Sequence, residues 1–160
     1  MSDLQTVKRM LAMCRAYGLS GLVFALSFPP EQLARDFNGI GPEWFPDALR
    51  KAIDGLSADM MPAAFIHDVR YAHNDGSTRE FNAANAELEA NGRLIADTKY
   101  PFWHIRRYLI RHEARVYARL CARFGWKAYC AAKSLELRAK SLEQMENPSG
   151  AESSKLEAES

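Results

Sequence analysis

The stretch Ala63-Ala64-Phe65-Ile66-His67-Asp68-Val69-Arg70-Tyr71 decides how this chain is read. Ala64, Phe65, Val69 and Ala72 recur at helical spacing, so the stretch reads as an amphipathic helix, with Pro62 tolerated in its first turn. His67 and Tyr71 are four apart and lie one above the other on one face. Asp68 is rotated from the histidine by about 100°. A base, a carboxylate and a phenol on a largely apolar helix are costly to bury without partners. Their partners must come from elsewhere in the chain.

Downstream, Asn74-Asp75-Gly76 closes this helix, and Ser77 with Glu80 has capping-box spacing. A second helix should run to about Ala96, with Phe81, Ala84, Asn85, Leu88 and Ile95 along one side. Asn85 then falls on the edge of an apolar stripe, where an amide needs a polar partner. Pro101 reads as the start of a last long helix to about Glu143, ended by Asn147-Pro148-Ser149-Gly150.

Upstream, Ser2 or Asp3 can cap a first helix with Leu4, Val7, Met10, Leu11 and Cys14 on its apolar face and Gly18 as its stop. Leu19 to Leu26 is apolar and should pack inside, and Pro30 should open a short helix through Phe37. Asp36-Phe37-Asn38-Gly39-Ile40-Gly41-Pro42 is an irregular loop, followed by a short helix over 46–56. No period-two strand is visible. The expectation is an all-α chain, with residues 1–146 a single helical domain and 147–160 an acidic, solvated tail.

The 160 residues are 48% hydrophobic, enough for a core in one domain. The net charge of +1 hides an uneven spread, because Trp103 to Lys133 carries eight Lys/Arg against one Glu. Three cysteines, Cys14, Cys121 and Cys130, give neither a disulfide framework nor metal-ligand spacing. A reducing compartment follows. No run is long enough to span a bilayer, because Arg15 interrupts the apolar N-terminal region and Pro29-Pro30 ends it. Gly18 to Phe28 has some character of a signal-peptide core, yet Met10, Leu11 and Cys14 already fit a helix face ahead of it. The reading is a buried segment rather than a secretion signal.

A histidine beside a carboxylate suggests a general base beside a cation site. Neutral imidazole takes a proton from water near pH 7 when an acceptor holds its other nitrogen. Asp68 offers the hard oxygen that calcium prefers, and one carboxylate needs further oxygens. A loop freed by Gly39 and Gly41 could turn carbonyls inward.

Phe37-x-Gly39-x-Gly41 followed by His67-Asp68-x-x-Tyr71 resembles the calcium loop and catalytic helix of the phospholipase A2 superfamily. The lack of disulfides is similar to the compact phospholipase domain of parvovirus capsid proteins and related phage proteins. The resemblance spans roughly residues 36–90. It implies calcium-dependent hydrolysis of the sn-2 ester of phospholipids, in a chain of phage or prophage origin. His67 would be the base that activates water. Asp68 and the carbonyls of Phe37, Gly39 and Gly41 would hold Ca²⁺. The Gly39 amide would serve the oxyanion, and Tyr71 would support the residue behind His67. Phe37 stands where the family usually has Tyr, and the gap from Gly41 to His67 is longer than usual. The family's second Asp, which orients the histidine, aligns with Asn85; Asn82 and Glu89 are the other candidates if the register shifts. An amide can accept from imidazole without offsetting its developing charge, so the alternative is a weak or inactive module of the same fold, serving in a virion, on a membrane or on a protein partner.

Arg107, Arg111, Arg115, Arg119, Arg123 and Lys127 recur every four residues, interleaved with Trp103, Tyr108, Leu109, Val116, Tyr117, Leu120, Phe124, Trp126 and Tyr129. An amphipathic helix that solvates its arginines accounts for this pattern. The functional reading is a phospholipid membrane surface met by Arg107, Arg111, Arg115, Arg119, Trp103 and Trp126. It ranks above nucleic acid, for which no recognised module accompanies the stripe. The expected setting is cytoplasmic or virion-associated and peripheral to a membrane, without a transmembrane span. His73, His104 and His112 read as surface or helix-face residues.

Overall fold

A computed structural model gives the fold, and residues 3–37, 58–134 and 137 are described. The chain forms α1 (Asp3–Tyr17), α2 (Leu22–Ala25) and α3 (Pro30–Asp36). A 3₁₀ turn, Ala58–Met60, leads into α4 (Met61–Ala72), α5 (Thr78–Lys99) and α6 (Ile105–Phe124). Residues 126–134 are helical again. No strand occurs among the described residues, and the fold is all-α. The expected loop after Phe37, the helix over 46–56 and the tail over 147–160 lie outside the described residues.

Local sequence explains the boundaries. Pro62 sits in the first turn of α4, where a missing N–H costs nothing. The Ser77 hydroxyl accepts from the Glu80 N–H at 3.1 Å and caps α5. The reciprocal half of the capping box is absent: Ser77 N–H donates to Asp75 Oδ1 at 2.7 Å, and the Glu80 carboxylate pairs with Arg70 at 3.1 Å. α5 continues past Ala96 to Lys99, until Tyr100 goes extended ahead of Pro101.

The last helix differs most from expectation. It starts at Ile105 rather than Pro101, with His104 as its cap; His104 Nδ1 accepts the Arg106 N–H at 3.1 Å. It is also interrupted at Gly125, and its expected end near Glu143 lies outside the described residues. Leu19 and Ala25 pack inside as expected, but Val23 is 84% exposed, because a helix of four residues cannot bury its whole circumference.

One core joins these helices. Val7, Met10 and Cys14 of α1, Leu33 of α3, Phe65, Ile66 and Val69 of α4, and Leu88 and Ile95 of α5 meet Ile110 and Ala114 of α6. Each large side chain so buried contributes about 1.5–3 kcal/mol of transfer free energy. α5 and α6 make the broadest contact and run antiparallel, since Asp97 reaches Arg107 at 2.7 Å while Glu89 lies 3.6 Å from Arg115. Their close approach requires a residue without a side chain: a Cβ on Gly92 would stand 2.5 Å from Ala114 Cβ. At the far end, the carboxylate of Asp59 accepts from Lys99, from Tyr100 at 3.0 Å and from Arg106 at 3.0 Å. That cluster ties the entry of α4 to the turn between α5 and α6.

Candidate active site

α4 and α5 lie side by side, and their facing polar residues form one buried network. His67 is 7% exposed and Asn85 is 4% exposed. His67 Nε2 lies 3.1 Å from Asn85 Oδ1, and the Tyr71 hydroxyl donates to the same oxygen at 2.8 Å. Asn85 Nδ2 donates to the Phe81 carbonyl, one turn earlier on α5, at 2.9 Å. That bond fixes the amide, because only nitrogen can donate to a carbonyl. Oδ1 is then the atom turned toward His67, and it can only accept. His67 therefore carries its proton on Nε2 and its lone pair on Nδ1. Nδ1 faces the side of Asp68, whose Oδ1 is 3.8 Å away.

The packing around this network is aromatic. Tyr71 tilts over the His67 ring with centroids 4.0 Å apart, and Phe81 and Tyr129 close around Tyr71 at 5.9 and 5.2 Å. Trp126 lies edge-on to Phe81 at 5.1 Å and stacks on Tyr129 at 5.6 Å. Burial, with Cys121 next in effect, pushes the Tyr71 phenol well above its ordinary value, so it remains a hydrogen-bond donor at any working pH. Burial and then the charge of Asp68 push the Cys121 thiol up to about 12, which leaves it an inert neighbour rather than a nucleophile.

The glycine at position 125 has its reason here. A Cβ at that position would come 2.9 Å from the Tyr71 hydroxyl oxygen and 2.5 Å from the Cys121 carbonyl. Gly125 thus lets the end of α6 lie against the phenol, and Tyr129 then turns inward and is fully buried. The side chain of Asn74, just past α4, donates to the Tyr129 carbonyl at 3.0 Å and locks this segment down.

Of the residues singled out in the sequence, His67, Asp68, Tyr71 and Asn85 come together. Asn82 is exposed, and Glu89 is taken up by Arg93 at 2.7 Å and Arg115, so neither backs the histidine. Phe37 caps α3 and packs edge-on against Phe65 at 5.4 Å, which brings the start of the glycine loop to α4 two residues before His67. Gly39 and Gly41 lie outside the described residues. No group of three His, Cys, Asp or Glu that could hold a metal occurs among the described residues. Asp68 offers a hard carboxylate oxygen beside the histidine, which suits calcium in kind and leaves the rest of a donor set to backbone carbonyls.

The chain matches no family model, no curated protein and no solved structure.

Elsewhere, Arg107 and Arg111 turn toward Asp97 (2.7 and 3.6 Å), while Trp103 is 72% exposed. His112 is exposed on α6. His73 is not a free surface residue: its Nε2 meets Asp36 Oδ2 at 2.7 Å and its ring stacks on Phe28 at 3.9 Å. No described helix is long and apolar enough to cross a membrane. Sequence reasoning missed the Phe81 carbonyl, Gly125 and Tyr129 as parts of the site. The one available signal was a glycine placed between Phe124 and Trp126 in an otherwise helical run.

Proposed function

We propose that this chain is a calcium-dependent hydrolase of phospholipid sn-2 esters, of the phospholipase A2-like type. The observation that carries the reading is the His67–Asn85–Tyr71 network with Asp68 beside the open nitrogen of the imidazole. His67 Nδ1 takes a proton from water as the water oxygen attacks the ester carbonyl carbon, and returns that proton to the departing glycerol oxygen. Asn85 holds the Nε2–H throughout, and Tyr71 holds Asn85. Asp68 and the carbonyls of Phe37, Gly39 and Gly41 would hold the ion, and the Gly39 amide would face the oxyanion. Calcium, when bound, supplies positive charge that polarises the ester carbonyl and steadies the oxyanion.

A second reading, a catalytically weak module of the same shape, is favoured by one feature: the acceptor behind His67 is an amide, which cannot offset an imidazolium charge. On the unrelated fold of the serine proteases, replacing the triad Asp by Asn costs about 10⁴ in turnover. Vesicles labelled in the sn-2 chain separate the two. The enzyme reading requires fatty-acid release that depends on calcium and disappears in His67→Ala. Folded wild-type protein that releases none at millimolar calcium would leave only the module.

A further inference from the structure

α6 has one side committed to the core and another committed to nothing among the described residues. Ile110, Ala114 and Ala118 are the buried stripe. On the opposite side Ile105, Leu109, Val116, Leu120 and Phe124 form an apolar ridge crossed midway by His112 and Glu113, with exposures from 37% at Val116 to 68% at Ile105. Phe102 and Trp103, at 67% and 72%, extend it at its N-terminal end. A ridge over twenty residues of helix is about 30 Å long. Solvent-exposed apolar surface on that scale marks an interaction site.

The arginine row fixes the kind of partner. A step of four residues turns about 40° around a helix, so the row winds from one side to the other. Arg107, Arg111 and Arg115 lie against α5 and pair with Asp97 and Glu89. Arg119 and Arg123 emerge beside Leu120 and Phe124, with no ion pair among the described residues, whereas Arg106 at the other end is taken up by Asp59 at 3.0 Å. The outward face is thus largely aliphatic and aromatic, with His112 and Glu113 midway and the cations Arg119 and Arg123 toward its C-terminal end. A second copy laid on it would bring like charges together. A nucleic-acid backbone would engage the arginines and leave the apolar centre with nothing to bury it. An anionic bilayer satisfies both parts, since headgroup phosphates meet the arginines while the ridge enters the acyl boundary.

We propose that α6 docks flat on an anionic phospholipid bilayer through the ridge Ile105, Leu109, Val116, Leu120 and Phe124, with Arg119 and Arg123 on the headgroups. The choice of lipid rests on the phospholipid-hydrolase reading; the position of the face rests on exposure and charge. The test is flotation of the full chain with vesicles of phosphatidylglycerol and phosphatidylcholine, or phosphatidylcholine alone, in EDTA. Wild-type protein should float with the anionic vesicles. A Leu109→Ser/Leu120→Ser/Phe124→Ser variant, folded by circular dichroism because these side chains sit outside the core, should partition about tenfold less or weaker. Arg119→Gln/Arg123→Gln should weaken binding to anionic vesicles at low salt and leave the phosphatidylcholine result unchanged.

The proposal is overturned if folded wild-type protein stays with neither vesicle, or if the triple variant floats as well as wild type. It is equally overturned if the chain is a dimer that the triple variant dissociates while vesicles are ignored, or if it shifts duplex RNA and not vesicles. EDTA keeps calcium chemistry silent, so a chain that docks without hydrolysing, or hydrolyses dispersed ester without docking, tells the two proposals apart.

Discussion

The middle and the end of one helix hold their histidines in opposite ways. In the middle of α4, His67 meets an amide, Asn85, at 3.1 Å, inside a network fixed by Tyr71 and a backbone carbonyl. At its C-cap, His73 meets a carboxylate, Asp36, at 2.7 Å, on a ring stacked against Phe28. The carboxylate pair joins two helices, α3 and α4, and holds the approach to the glycine loop in place. The amide pair settles which imidazole nitrogen carries the proton without placing a charge behind it. The tighter electrostatic partner therefore serves architecture, and the neutral one serves the candidate chemistry.

The largest effect that would break this comparison is on activity. His67→Ala should lower calcium-dependent ester hydrolysis by about 10²–10⁴-fold, the usual value of a positioned base, in a protein that still folds. A loss of the same size in His73→Ala would erase the distinction between the two positions. Asn85→Asp sharpens it. A carboxylate there can offset the imidazolium, so turnover should rise about tenfold or more. The same change sets an oxygen against the Phe81 carbonyl in place of a donor, so folding should weaken by about 1–3 kcal/mol in chemical denaturation. An unchanged rate would mean that Asn85 does not back the base.

Asp36→Asn should cost roughly 1–2 kcal/mol, as the loss of one charge-assisted hydrogen bond at a half-buried position, with activity affected only through the loop. The Asp59 cluster supplies a pH check on the same contrast. Burial alone would raise this carboxyl, but hydrogen bonds from Lys99, Arg106 and Tyr100 outweigh it and hold it below its ordinary value of 3.8. Its contribution is complete above about pH 3.8 and is lost as the pH falls through the lower folded value. Wild-type stability should therefore drop on acidification below that point, and Asp59→Asn should flatten the drop. Smallest of all, Arg107→Ala should change stability by no more than about 1 kcal/mol, because its pair with Asp97 is near the surface.

Much of this arrangement was legible in the sequence for physical reasons. The helix around His67 announced itself by period and by Pro62, and the start of α5 by its Ser77 cap. Asn85 was readable because an amide on an apolar stripe must find a partner, and the preceding helix carried a polar ring within reach. A lone glycine in a helical run was the only sequence signal of the break at Gly125, and its reason was not readable, since its φ of −77° is ordinary and only the nearness of the Tyr71 hydroxyl and the Cys121 carbonyl excludes a side chain there. Nor was the fate of the arginine row, because spacing of four shows that a stripe winds but not where on the turn the neighbouring helix lies. His73 eluded sequence reading for a similar reason: its partner, Asp36, is 37 residues away.

The most direct test is the protonation of the His67 ring itself, read by ¹⁵N chemical shifts of labelled imidazole in the full chain at neutral pH. Protonated Nε2 coupled to Asn85, with Nδ1 bare, is the predicted tautomer. A proton on Nδ1 and a bare Nε2 would contradict it, because the base would then point its lone pair at an oxygen that can only accept.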